Sequence, residues 1–185
     1  STTTSSNVAI GALAARDNTT GAQLTAVGKQ ALLSNTTGSD NTAIGCDALD
    51  ANTDGNQNTA VGRSALGDNT GADKSTAVGY RALKSSTANS NIAIGWQAGH
   101  NITTGDGQVA IGKDCMNACT TGRINVMVGA DGMSALTTGD YNTGIGYECG
   151  NQITSGSKNV FLGFYAGRNQ GNGSNNLYLS LIHIS

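Results

Sequence analysis

The chain has 185 residues, a formal net charge of −2, 12% charged and 4% aromatic residues, 27 glycines and no proline. That length suits one ordinary domain, and its ten scattered basic residues leave no electrostatic footprint for nucleic acid. No apolar run approaches the roughly 20 residues of a membrane-spanning helix. Abundant Asn, Thr and Ser would suit a disordered tract, but disorder goes with strong net charge and few β-branched residues. Here Ile, Val and Thr recur from end to end, which points to an ordered chain whose interior is too narrow for rings.

The chain opens Ser1-Thr2-Thr3-Thr4 without a methionine. It therefore reads as an internal piece of something longer, and the lack of a leader says nothing about the parent. Residues 1–6 are expected to be disordered or the edge of an upstream coil. From Asn7 the sequence repeats, and internal repeats decide architecture before any other feature. A glycine after an aliphatic residue recurs as Gly11, Gly28, Gly45, Gly62, Gly79, Gly95, Gly112, Gly129, Gly146 and Gly163. Every step is 17 residues except Gly79 to Gly95, which is 16.

Seventeen residues are too few for a helix–turn–helix unit but suit one coil of a β-solenoid. In Asn41-Thr42-Ala43-Ile44-Gly45, the period-two alternation of Thr42-Ala43-Ile44 predicts a short half-buried strand. The glycine then supplies a corner with positive φ. Three residues on comes a column of small groups from Ala14 to Ala166, which includes Cys115, Gly132 and Cys149. A threonine column (Thr19, Thr36, Thr53 and onward) precedes a glycine turn, and Asn opens most coils. Asn is suited to positive-φ corners and bonds nearby backbone. The short repeat Ser75–Ser90 lacks the turn glycine, so its deletion is expected at a surface turn, where no strand register is lost. Stacked at about 4.8 Å per coil, ten coils span roughly 48 Å.

The core is expected to be thin. Each coil offers about two large aliphatics, one before the glycine and one such as Leu32, Leu49, Leu66 or Leu83. With both inside, the small Ala9/Ala26/Ala43 face is the one a single coil leaves wet and neighbouring copies would cover.

The phrases Asn41-Thr42-Ala43-Ile44-Gly45 and Ser34-Asn35-Thr36-Thr37-Gly38 resemble repeats of bacteriophage tail fibres. In that family they lie upstream of an endosialidase-type, self-cleaving intramolecular chaperone. Asn159-Val160-Phe161-Leu162-Gly163-Phe164-Tyr165-Ala166-Gly167 and Gly173-Ser174-Asn175-Asn176-Leu177-Tyr178 look like that family's final coils before its downstream region. The Ala-Ile-Gly phrase is also similar to head repeats of trimeric autotransporter adhesins. Both resemblances imply a homotrimeric rod, and the chaperone with its autoproteolytic residues lies outside this sequence. Residues 179–185 resemble the translated end of a sequencing-library adapter, with His183 inside it, and are expected to be non-native.

No catalytic, cofactor or metal site is expected. His100 stands alone after Gly99, and Gly144-Ile145-Gly146 has Cys149 where a dinucleotide motif needs glycine. Cys115 and Cys149 share a column two coils apart, roughly 9–10 Å, beyond disulfide reach. Cysteine there acts as a small hydrophobe, and Cys46 and Cys115-x3-Cys119 lack a second ligand pair. The turn acids Asp40, Asp54, Asp68, Asp106 and Asp140 lack the calcium nonapeptide signature. The threonine column is read as a structural ladder, with a binding face as its rival.

Residues 7–178 are thus expected to form an all-β parallel β-solenoid (β-roll) of ten coils plus a partial eleventh, assembled as a homotrimer. The expected role is a structural shaft of a phage tail fibre or surface adhesin, on a virion or at an extracellular surface, spacing and presenting a receptor-binding tip. Its partners would be other copies, other virion or adhesin domains and a cell-surface glycan, with no nucleic acid, no membrane and no enzymatic activity. The alternative is a free-standing solenoid whose Thr-rich face binds ice or carbohydrate.

Overall fold

A computed structural model describes residues 6–180. They form a β-solenoid with one three-residue strand per coil: β1 Val8–Ile10, β2 Thr25–Val27, β3 Thr42–Ile44, β4 Thr59–Val61, β5 Thr76–Val78, β6 Ile92–Ile94, β7 Val109–Ile111, β8 Val126–Val128, β9 Thr143–Ile145, β10 Val160–Leu162 and β11 Leu177–Leu179. The strands stack in parallel, in sequence order, as a single 11-stranded sheet. Thr42 pairs with Thr59, Ala43 with Ala60 and Ile44 with Val61, and the other steps follow the same register. The short coil does not disturb it, since Thr76 pairs with Ile92 and Val78 with Ile94.

The direction of the strand side chains reverses the expected assignment. The central alanines Ala26, Ala43, Ala60, Ala77, Ala93 and Ala110 are fully buried, whereas Ile44, Ile94, Ile145 and Leu162 before the glycines are 40–48% exposed. The alanine column lines the interior, and the column of larger aliphatics faces out. The cause is width. Across the coil from each strand lie the small column (Ala31, Ala48, Ala65) and the leucines Leu32, Leu49 and Leu66, all fully buried, which leave room for a methyl group and little more.

Coils that depart from this pattern show the constraint directly. Met127 and Phe161 occupy the inward strand position, and glycines appear around each. A Cβ on Gly132 would overlap the Met127 side chain, standing 2.5 Å from Sδ, and one on Gly144 would lie 2.7 Å from the same sulfur. Around Phe161, a Cβ on Gly150 would lie 3.1 Å from the ring and one on Gly167 would lie 2.6 Å from it. Volume is exchanged within the cross-section as close packing requires.

The corner glycines have φ of 109–144°. At Gly45 a Cβ would stand 2.7 Å from the carbonyl carbon of Gly62 in the next coil. Three further columns have positive φ without requiring glycine, exemplified by Gln30, Leu32 and Asp40 at 51–59°. These left-handed residues reverse the peptide direction, so hydrogen bonds run to both neighbouring coils: Gln30 N donates back to Ala12 O and Leu32 N forward to Ala48 O. Asn was expected at such corners. Instead Asn41, Asn58, Asn91, Asn125, Asn142 and Asn159 are fully buried and form an internal ladder. Asn58 Nδ2 donates to Ala72 O at 2.7 Å, and Asn58 Oδ1 accepts from Ser75 N at 3.0 Å. This satisfies the backbone groups that a narrow core would otherwise strand.

The deletion lies in the surface turn, as expected. The turn glycines Gly38 and Gly55 each face the carbonyl oxygen of the next turn, but Ala72 replaces them in the coil before the short one and Ala88 in the short coil itself. Ser75, shorter than Asn, stands in the ladder there and its Oγ donates to Ala88 O at 3.4 Å.

Candidate functional site

The sheet's outer face is the candidate surface. The first and third residues of all 11 strands point outward, and every one is Val, Ile, Leu or Thr. No charged side chain interrupts this strip, although charged residues border it. Ile92, Val160 and Leu177 are 39–65% exposed. The hydroxyls of Thr25, Thr42, Thr59 and Thr76 make no hydrogen bond among the described residues and form a rank with one member per coil. The column as a whole is mixed, with Val8 before these four threonines and Ile92 and Val109 after them. Its role depends on the inward turn of the alanines.

The turn threonines behave differently. Thr36 Oγ1 donates to Thr53 O at 2.9 Å, Thr53 Oγ1 to Thr70 O at 2.9 Å and Thr137 Oγ1 to Thr154 O at 2.9 Å. Their hydroxyls are engaged coil to coil, as a structural ladder requires. A neighbouring column caps backbone N–H groups in the same way: Asn56 Oδ1 accepts from Ser39 N at 2.9 Å and Asp140 Oδ1 from Arg123 N at 2.7 Å.

The other sequence-level candidates are dispersed. His100 Nδ1 lies 2.9 Å from Asn101 Oδ1, and Nε2 has no hydrogen-bond partner among the described residues. Asp68 pairs with Lys84 at 2.8 Å and Asp106 with Arg123 at 3.2 Å. Among the described residues, no group of three His, Cys, Asp or Glu side chains is placed to hold a metal ion. Among the same residues, no helix is long and apolar enough to cross a membrane.

All four cysteines are free thiols. Burial pushes Cys115 and Cys119 up to about 12 and Cys149 up to about 11, which marks them as neutral core groups. Cys149 Sγ packs 3.7 Å from Met127 Sδ. Cys46 is only half-buried, and its hydrogen bond to Asp47 raises its pKa as well.

Two aromatic pairs lie just past the corner glycines. Tyr80 and Trp96 stack at 4.3 Å between ring centroids, and Tyr147 and Phe164 at 5.7 Å. A cavity of about 270 Å³ at the carboxyl-terminal end of the described rod is lined by Tyr165, Arg168, Gln170 and Tyr178 among others. It lies beside the last core ring, Tyr178, which stacks on Phe161 at 5.0 Å.

No family model, curated protein or solved structure matches the chain.

Proposed function

We propose that this chain is a structural shaft segment of a phage tail fibre or surface adhesin, working as a homotrimer on a virion or at an extracellular surface. It spaces and presents a receptor-binding tip carried by other domains of the same assembly. The observation that carries this reading is the uninterrupted uncharged outer face of the sheet, running the length of a rod whose polar side chains are spent largely on coil-to-coil ladders. A large exposed apolar patch on a water-soluble surface marks an interaction site.

Periodicity favours another copy as the partner. A rod with the same axial spacing meets this strip one side chain per coil, and any other spacing drifts out of register. Area favours three copies over two. A face about 10 Å wide and 48 Å long offers roughly 500 Å² per copy. Two copies would bury about 1,000 Å² in total, the lower limit for a specific interface, whereas three reach about 1,500 Å², within the standard range.

The second reading, a free-standing solenoid that binds ice or carbohydrate, draws on the unpaired hydroxyl rank of Thr25, Thr42, Thr59 and Thr76. Sedimentation equilibrium separates the two. The shaft reading expects a species of about three times the 18.6 kDa chain mass. A monomer at all concentrations that also shows thermal hysteresis or binds a glycan array would overturn it in favour of the second reading.

A further inference from the structure

We infer that the outer face is divided along the rod, with a carboxyl-terminal zone that locks copies of this chain together and an amino-terminal zone that contributes little. This rests on the self-assembly proposed above. The sheet and the flank past its corner glycines change character together, and the opposite flank follows over part of the same stretch. On the sheet, β2–β5 present four Thr, three Val and one Ile outward, whereas β8–β10 with Leu177 present one Thr, three Val, one Ile and two Leu. On the flank past the corner glycines, Lys29, Cys46 and Arg63 give way to Tyr147 and Phe164. On the opposite flank, Asp40, Gln57 and Lys74 give way beside β8 and β9 to Ile124 and Tyr141, which are 50% and 53% exposed, before Lys158 and Asn175 return the column to polar residues beside β10 and β11.

These are changes of residue type in three columns of one repeat, so they do not arise from greater exposure at the end of the rod. Burial free energy scales with apolar area, and Leu, Tyr and Phe bring more of it than Thr and Val. Charges at a rim add little affinity and stay solvated. The contact free energy is therefore concentrated in coils 8–11, and the stacked Tyr80–Trp96 pair past β5 and β6 is a separate apolar patch on the same flank. The occupant is the same zone of another copy, because its own flanks carry the matching apolar residues Ile124, Tyr141, Tyr147 and Phe164.

Two double variants of the full chain test this by sedimentation across a dilution series: Ile145→Asp with Leu162→Asp, and Val61→Asp with Val78→Asp. All four positions face outward, and circular dichroism checks that each variant keeps its coils. The carboxyl-terminal pair is expected to raise the half-assembly concentration about a hundredfold, and the amino-terminal pair about tenfold or less. Equal shifts, or a larger shift from the amino-terminal pair, would overturn the zoning and leave self-assembly standing. A wild-type chain that is monomeric throughout would overturn both. If an Asp pair unfolds the coils, Ile145→Thr with Leu162→Thr against Val61→Thr with Val78→Thr decides by the same comparison, since Thr already occupies this face.

Discussion

The exchange of volume around Met127 makes a sharp prediction. Met127→Ala removes a fully buried side chain from a site where Gly132 and Gly144 contribute no Cβ, so little can collapse into the void. A cost of about 2–5 kcal/mol is expected. Gly132→Ala alone places a methyl against Met127 Sδ, at 2.5 Å in ideal geometry, and overpacking of that kind costs about 1–3 kcal/mol. Combined, the two changes should cost less than Met127→Ala by itself, because the new methyl enters the space the methionine vacates. Adding Gly144→Ala recreates the Ala26/Ala31/Ala43 cross-section of the earlier coils and should recover more. Urea denaturation followed by circular dichroism, at one protein concentration so that assembly does not confound the comparison, gives the four free energies. If the double variant equals the sum of the single costs within about 0.5 kcal/mol, the two sites do not share a volume and the compensation argument fails.

Three further outcomes follow from the ladders, corners and thiols. Asn58→Leu keeps the size of the side chain but strands the Ser75 amide, while the Ala72 carbonyl keeps its bond from Asn69 Nδ2 at 3.1 Å; a loss of about 1–3 kcal/mol is expected in the same urea assay. Lys74, exposed and at φ 61°, should tolerate Lys74→Gly with a change within about 1 kcal/mol. Gly45→Ala, at φ 135° against the next coil, should instead lower the melting temperature clearly, and comparable melting of these two variants would refute the corner assignment. Stability should fall as pH rises from about 9 towards 12. In that window the unfolded chain ionises thiols whose ordinary value is 9.0, while the fold holds Cys115 and Cys119 neutral up to about 12. A flat melting temperature between pH 8 and pH 10.5, compared with a Cys115→Ala/Cys119→Ala variant, would contradict this.

Much of the architecture is legible without coordinates. A glycine every 17 residues implies a coil, because one backbone conformation must recur at each turn. The single 16-residue step marks a deletion the fold can absorb only at a turn, and Ala72, Ser75 and Ala88 show how it does so. The turn-threonine ladder and the packing role of Cys115 and Cys149 follow from their columns. Two features were not legible. Non-glycine corners such as Leu32 and Gln30 give no compositional sign of a left-handed backbone, because the need for it comes from hydrogen bonds to the coils on either side. The inward direction of the strand was equally hidden. Thr42-Ala43-Ile44 alternates whichever face is buried, and burial of Ile44 is the better choice for an isolated strand. Only the tertiary structure, which sets a strand against an alanine and a leucine across an interior one methyl group wide, turns Ala43 in and Ile44 out. The candidate interaction face exists because the interior behind the strand is too narrow to take the isoleucines there, although Ile102 and Ile153 are buried at another corner of the coil.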